Sequence, residues 1–257
     1  MPALGSAMAI FCTKRQKMIY RFDILTSTND EACGSQYKQG DVIVAESQTA
    51  GRGQRGHVWE SGKGQNLTLS AILEPTFLPP TEQFLLSEVI ALAVADTLAS
   101  YSIKTKIKWT NDIYVGDKKI AGILIEHKLQ GNTIGRTIAG IGLNVNQTSF
   151  SADLPNPTSM AIEQAAEFER DEVRERLQEC IMRRYKQLQN GERATLQSDY
   201  HTMLYRLDEE HLYALADGST FFGTIRGVEP TGALKVEMQN GDLRTFMFKE
   251  IEFLLKN

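Results

Sequence analysis

The chain has 257 residues, 42% apolar and 23% charged, which is the balance of an ordinary globular fold and not of a disordered one. Its net charge of −4 leaves no basic footprint, so a nucleic-acid binder driven mainly by electrostatics is excluded. Three scattered cysteines (Cys12, Cys33, Cys180) and four histidines (His57, His127, His201, His211) lack metal-ligand spacing, which argues against a disulfide framework or a zinc site.

Reduced thiols fit a cytoplasmic chain. No apolar run reads as approaching the roughly 20 residues that span a bilayer. Residues 1–17 hold a short apolar patch followed by basic residues, the reverse of a secretory signal. They are expected to be a disordered leader, with the fold opening at Met18.

From there residues 18–25 (MIYRFDIL) read as a strand. Ser27, Thr28, Asn29, Asp30 and Glu31 feed a helix expected to run to Gln39 and stop at Gly40. Thr28 and Glu31 stand at the capping-box spacing. Residues 42–45 read as a buried strand. Residues 47–64, with five glycines, read as a long loop. Leu67, Leu69, Ala71 and Leu73 alternate on one strand face. Residues 81–101 repeat apolar side chains at helical spacing. Residues 104–109 read as a strand, 113–126 as a hairpin, and 133–144 as the strand that follows. Short turns between these strands imply an antiparallel or mixed sheet and argue against a doubly wound one. Residues 171–188 read as an amphipathic outer helix ended by Gly191. Residues 211–257 alternate short β runs with Asp217-Gly218, Thr231-Gly232 and Asn240-Gly241; Asp-Gly and Asn-Gly are type I′ hairpin signals. The expected fold class is α+β, with a catalytic domain over 18–205 and a small SH3-like β-barrel over 206–257.

Three segments carry chemistry. The first is ESQTAGRGQRGHVW at 46–59. Glycine alternating with arginine lets backbone N–H groups approach an anion, while guanidinium groups match phosphate oxygens. A solvated surface loop has the same composition. The second is KWTND at 108–112 followed by KKIAG at 118–122. Lys108, Asn111 and Asp112 end one strand and Lys119 starts the returning one, so the two can face each other. Lys118 and Lys119 also fit solvated turn charges, and Asp112 fits a turn cap. The third is GIGLNVN at 140–146, where glycines inside a strand mark either a close approach or a bulge.

In this order, together with STN at 27–29 and KIAGI at 119–123, these segments resemble the catalytic core of the biotin protein ligases over about residues 18–257. The resemblance implies joining of biotin to ATP, with Mg²⁺, to give biotinyl-5′-adenylate, then transfer of biotin to one lysine of a carboxylase carrier domain. It implies no DNA partner and no membrane partner. With only about 17 residues before Met18, it points to the monofunctional type without a repressor role. Lys119 is the expected holder of the carboxylate and α-phosphate, with Arg52, Arg55 and Lys108 as further cations. Ser27, Thr28, Asn29 and Gln48 suit the ureido ring, with two N–H donors and one carbonyl. Gly51, Gly53, Gln54, Gly122 and Gly140 are expected against biotin. Trp59, Asn111 and Asn144 are expected on the ATP side, although core packing accounts equally for Trp59. Asp112 is placed to orient or deprotonate the acceptor lysine. The family departures are Thr110, where many members have Pro, and Gln54, where some have a third arginine. A lipoate ligase, or a non-catalytic interaction protein built on the C-terminal module, are the alternatives.

Overall fold

The computed structural model describes residues 17–54 and 58–254. Residues 1–16, which hold most of the expected leader, and Arg55 and His57 lie outside the described residues.

Seven strands form the first sheet: β1 (Ile19–Leu25), β2 (Val42–Gln48), β3 (Leu67–Leu73), β4 (Lys106–Lys108), β5 (Asp112–Val115), β6 (Lys118–Gln130) and β7 (Thr133–Leu143). Their order is β1-β2-β3-β7-β6-β5-β4. Only β1 and β2 run parallel, joined by α1 (Thr28–Ala32); every other neighbour is antiparallel. This is the mixed sheet that the short turns imply.

Both faces of the sheet are covered. All seven residues of β3 are buried, so the expected one-sided alternation gives way to a strand packed on both sides. One face carries α2 (Phe84–Ser100), α4 (Arg170–Gln189) and α5 (Arg193–Thr202). Arg184 pins them together, reaching Asp96 at 2.7 Å and Asp199 at 2.5 Å. The other face carries a smaller cluster of Ala32, Tyr37, Ile43, Ile72 and Ile138. The segment from Pro80 to Ser100 has the length and apolar composition of a membrane-crossing helix. Here it is the central core helix, with 13 of the 17 residues of α2 buried.

The second sheet comprises β8 (Glu210–Leu215), β9 (Thr220–Val228), β10 (Leu234–Met238), β11 (Leu243–Phe246) and β12 (Ile251–Phe253), in the antiparallel order β11-β10-β9-β8-β12. This five-stranded sheet corresponds to the SH3-like module, as an open order of strands. Its apolar face (Tyr213, Ile225, Leu234, Val236, Phe246) joins the same continuous core as the first sheet.

Several local expectations need correction. The first helix is five residues long and does not reach Gln39, and Ser27 is its cap: the Ser27 hydroxyl accepts from the Asn29 N–H. The hairpin turns are not type I′, which needs two residues at positive φ. At each turn only the glycine is left-handed, with φ of 84° at Gly218, 92° at Gly232 and 86° at Gly241. In each, the glycine N–H bonds back three residues, to Leu215, Glu229 or Met238. That same residue's N–H reaches the carbonyl just past the glycine, which is a type I turn closed by a G1 bulge. Helices α3 (Met160–Gln164) and α5, and strand β12, have no counterpart in the sequence reading.

Candidate active site

A cavity of about 480 Å³ opens over the first sheet. At one end α1 and the edge of β2 build a polar floor. Ser27, Thr28 and Asn29 are each 3% exposed, so their polar atoms must be satisfied from within. Gln48 Oε1 accepts the Thr28 N–H at 2.6 Å. Ser70, on β3, has its hydroxyl 2.8 Å from Thr28 Oγ1 and 2.6 Å from Asn29 Oδ1. Asn29 Nδ2 donates to Glu126 Oε2 at 2.7 Å. The sequence analysis missed Ser70 and Glu126. Two polar side chains, Thr68 and Ser70, in the mostly apolar β3 were the available signal for Ser70.

Arg52 enters from the glycine-rich loop. Its guanidinium makes a two-pronged contact with Glu126 at 2.9 and 2.8 Å and a third with Asp30 at 2.8 Å. The hydrogen bonds to Glu126 are the main cause that raises the Arg52 pKa. Arg52 is thus held at the floor by two carboxylates, and not poised over empty space.

The other end is built by the β4–β5–β6 corner. Lys119 Nζ and Asp112 Oδ1 are 2.7 Å apart. They meet because β5 and β6 pair with a register shift between Ile113 and Tyr114, which carries Lys119 opposite Tyr114 and leaves Lys118 exposed. Residues 156–158 bracket Lys119 from outside: its N–H donates to the Asn156 carbonyl and its carbonyl accepts the Thr158 N–H. Asn111 Nδ2 donates to the Ile123 carbonyl at 2.5 Å, and Thr110 reaches Gln54 at 3.2 Å. The Trp109–Thr110 peptide is cis. Burial lowers the pKa of Lys108, which lies over the rings of Tyr114 and Phe253.

Between the two ends the glycines admit other groups. Strand pairing runs unbroken through Gly140 and Gly142 on both sides of β7, so neither marks a bulge. A Cβ on Gly140 would stand 2.3 Å from Asn29 Oδ1, and one on Gly142 would stand 2.1 Å from Trp59 Cε2. Gly122 lies under the same indole, 3.0 Å from where its own Cβ would be. Trp59 therefore rests on a glycine bed, its Nε1 buried without a partner and the Lys119 ammonium 5.7 Å from its ring.

The cavity gathers most of the predicted set: Ser27, Thr28, Asn29, Gln48, Arg52, Gly53, Gln54, Trp59, Lys108, Asn111, Asp112, Lys119, Gly122 and Gly140 all border it. Gly51 and Asn144 do not. Asn144 is 4% exposed, with Nδ2 donating to the Thr158 carbonyl and Oδ1 unpaired, so it lies beneath the wall. Phe248, Ile251, Glu252 and Phe253 of the C-terminal sheet also border the cavity. No motif flagged them, because only assembly of the two sheets brings them there.

Comparison with known proteins follows the same lines. Residues 20–144 match the model of the biotin/lipoate A/B protein ligase family. The chain is 31% identical over 233 residues to the bifunctional ligase/repressor BirA of Bacillus spizizenii, covering 88% of this chain and 71% of that protein. It is 29% identical over 203 residues to the biotin–[acetyl-CoA-carboxylase] ligase of Mycobacterium tuberculosis, covering 77% and 74% of the two chains. Among solved structures, biotin protein ligase from Aquifex aeolicus, in complex with biotin and ATP, superposes with a TM-score of 0.80 at 23% identity, covering 94% of this chain and 100% of that one.

Proposed function

Since the chain belongs to the biotin/lipoate A/B protein ligase family, we propose that it is an ATP-dependent biotin protein ligase whose two half-reactions share the cavity described above. The observation that carries this reading is one cavity holding a hydrogen-bonding floor at one end and a Lys108–Asp112–Lys119 corner at the other. The floor suits a neutral ring with two N–H donors and a carbonyl. The corner suits the meeting of two anions.

In the first half-reaction a carboxylate oxygen of biotin attacks the α-phosphorus of ATP. The bond to the bridging oxygen breaks and pyrophosphate leaves. Mg²⁺ enters bound to ATP, as part of the substrate. Two negative groups must be brought together, so preorganised cations at the point of contact lower the barrier. Lys119 takes that role, with Lys108 beside it, and Arg55 acts from the loop, joined by Arg52 once it leaves Glu126 and Asp30. In the second half-reaction a neutral lysine amine of the carrier domain attacks the acyl carbon and AMP departs. An unperturbed lysine has a pKa near 10.4, so a proton acceptor is needed. Asp112 serves once the arriving phosphate draws Lys119 away from it. Trp59 is assigned to the adenosine side, with Asn144 supporting that wall from beneath through the Thr158 carbonyl, and a carboxylase carrier domain is the acceptor. Residues 18–205 form the catalytic unit and 206–257 the module that completes its wall.

A lipoate ligase would run the same adenylation on a different acid. Incubating the protein with ATP and either biotin or lipoate, then weighing the adenylates by mass spectrometry, separates the two. Biotinyl-adenylate alone is expected. Lipoyl-adenylate in comparable yield would overturn the choice of acid.

A further inference from the structure

Lys108 ends β4 at the rim of the cavity. Its ammonium lies 5.3 Å from the ring centroid of Tyr114 and 5.1 Å from that of Phe253. Among the described residues no hydrogen bond or ion pair holds it. The two rings come from different sheets. Tyr114 stands on β5, within the hairpin that pairs Lys108 with Asp112. Phe253 stands on β12, paired with Tyr213 of β8. The Phe253 ring is fixed in turn, stacked on Tyr205 with centroids 6.4 Å apart and edge-on to Tyr213 at 5.3 Å. Both Lys108 and Phe253 border the cavity.

We propose that Phe253 is a positioning residue for the adenylation half-reaction: with Tyr114 it clamps the Lys108 ammonium between two rings at the cavity rim, and through it the C-terminal sheet takes part in the chemistry. This rests on the reading of the cavity as the site of adenylate formation.

A desolvated ammonium over an aromatic face is held by the ring quadrupole. Burial works against it and lowers the Lys108 pKa, and the charges of Lys119 and Arg206 act the same way. Asp112 and Glu252 oppose them. Tyr114 and Tyr205 face the same space and stay neutral, their pKa values raised to about 12 by burial. The rings are therefore the direct contacts that hold Lys108 in place, while Asp112 and Glu252 favour its charge from further off. Loss of one leaves a half-buried cation with less to hold it.

The test uses the full chain with ¹³C-labelled lysine, titrated by NMR, alongside the pH profile of pyrophosphate release. Phe253→Leu is expected to move the Lys108 titration down by about one pH unit. The basic limb of the rate should move down with it, so that at a pH well above the Lys108 titration the rate falls about tenfold. Phe253→Tyr keeps a ring and should hold both within about twofold of wild type. Tyr114→Leu, which acts from the other sheet, should reproduce the shift and covers the case in which the Phe253→Leu chain does not fold. A Lys108 titration unmoved by either leucine variant would overturn the clamp, as would a Tyr variant that falls as far as Leu. A shifted titration in a protein that never releases pyrophosphate would instead overturn the reading of the cavity.

Discussion

Gly142→Ala gives a sharp test of how the site is built. Gly142 sits on β7 between Thr68 of β3 and Gly122 of β6, in unbroken register with both. Neither neighbouring strand can yield without breaking its ladder. A Cβ there would lie 2.1 Å from Trp59 Cε2 and 2.5 Å from both Cζ2 and Nε1. Ordinary carbon contact begins near 3.5 Å, so the indole must withdraw by roughly 1.4 Å. Gly142 has no positive φ, so alanine suits the strand conformation and gains about 0.5–1 kcal/mol there. Overpacking against the ring costs about 1–3 kcal/mol, which leaves a net loss of up to about 2.5 kcal/mol. The assay is a double-mutant cycle in urea with Trp59→Ala. With the indole gone, Gly142→Ala should cost nothing or stabilise slightly. A loss of the same size in both backgrounds would refute the clash and place the sensitivity in the β7 backbone.

Asp112→Asn removes the carboxylate 2.7 Å from Lys119. It is expected to slow single-turnover transfer from preformed adenylate more than it slows adenylate formation, and equal losses would remove the base role. Glu88 makes a stability prediction. It is 4% exposed on the core helix α2 with Oε2 unpaired, and burial raises its pKa from 4.5 to about 8. The folded state therefore holds a proton that the unfolded state releases above about pH 4.5, and stability falls as pH rises until about pH 8, then levels. Glu88→Gln should flatten that slope and stabilise the protein by about 1–3 kcal/mol at pH 8, read by thermal melts across pH. An unchanged slope would place the pH dependence elsewhere.

What the sequence disclosed follows from range. Period-two and helical patterns placed the strands and long helices, and ordered motifs placed Lys119, Asp112 and the 27–29 floor at one cavity. The terminal strand β12 is three residues long and gives periodicity nothing to register. Helix α3 is a five-residue turn capped by Ser159. Glu126 and Ser70 belong to no motif, and only the pairing of β3, β7 and β6 sets them beside Asn29. The Arg52–Glu126 pairing spans 74 residues, which no local pattern encodes. Nor could it show that Trp59 lies on two glycines, although glycines within a strand did announce that something approaches.

On the proposed mechanism, Lys119 and its neighbours join biotin to ATP and the cavity passes the biotinyl group to a carrier lysine. The most direct test mixes purified protein, ATP, biotin and an unmodified carboxylase carrier domain, and follows the mass of the carrier in wild type, Lys119→Ala and Lys118→Ala. One biotinyl group on one lysine, dependent on ATP, is expected. Lys119→Ala should lower the rate by about 10² or more, as for loss of one preorganised charge. Lys118, exposed beside the turn, should matter little. A carrier left unlabelled by wild type, or equal losses from the two lysine substitutions, would contradict it.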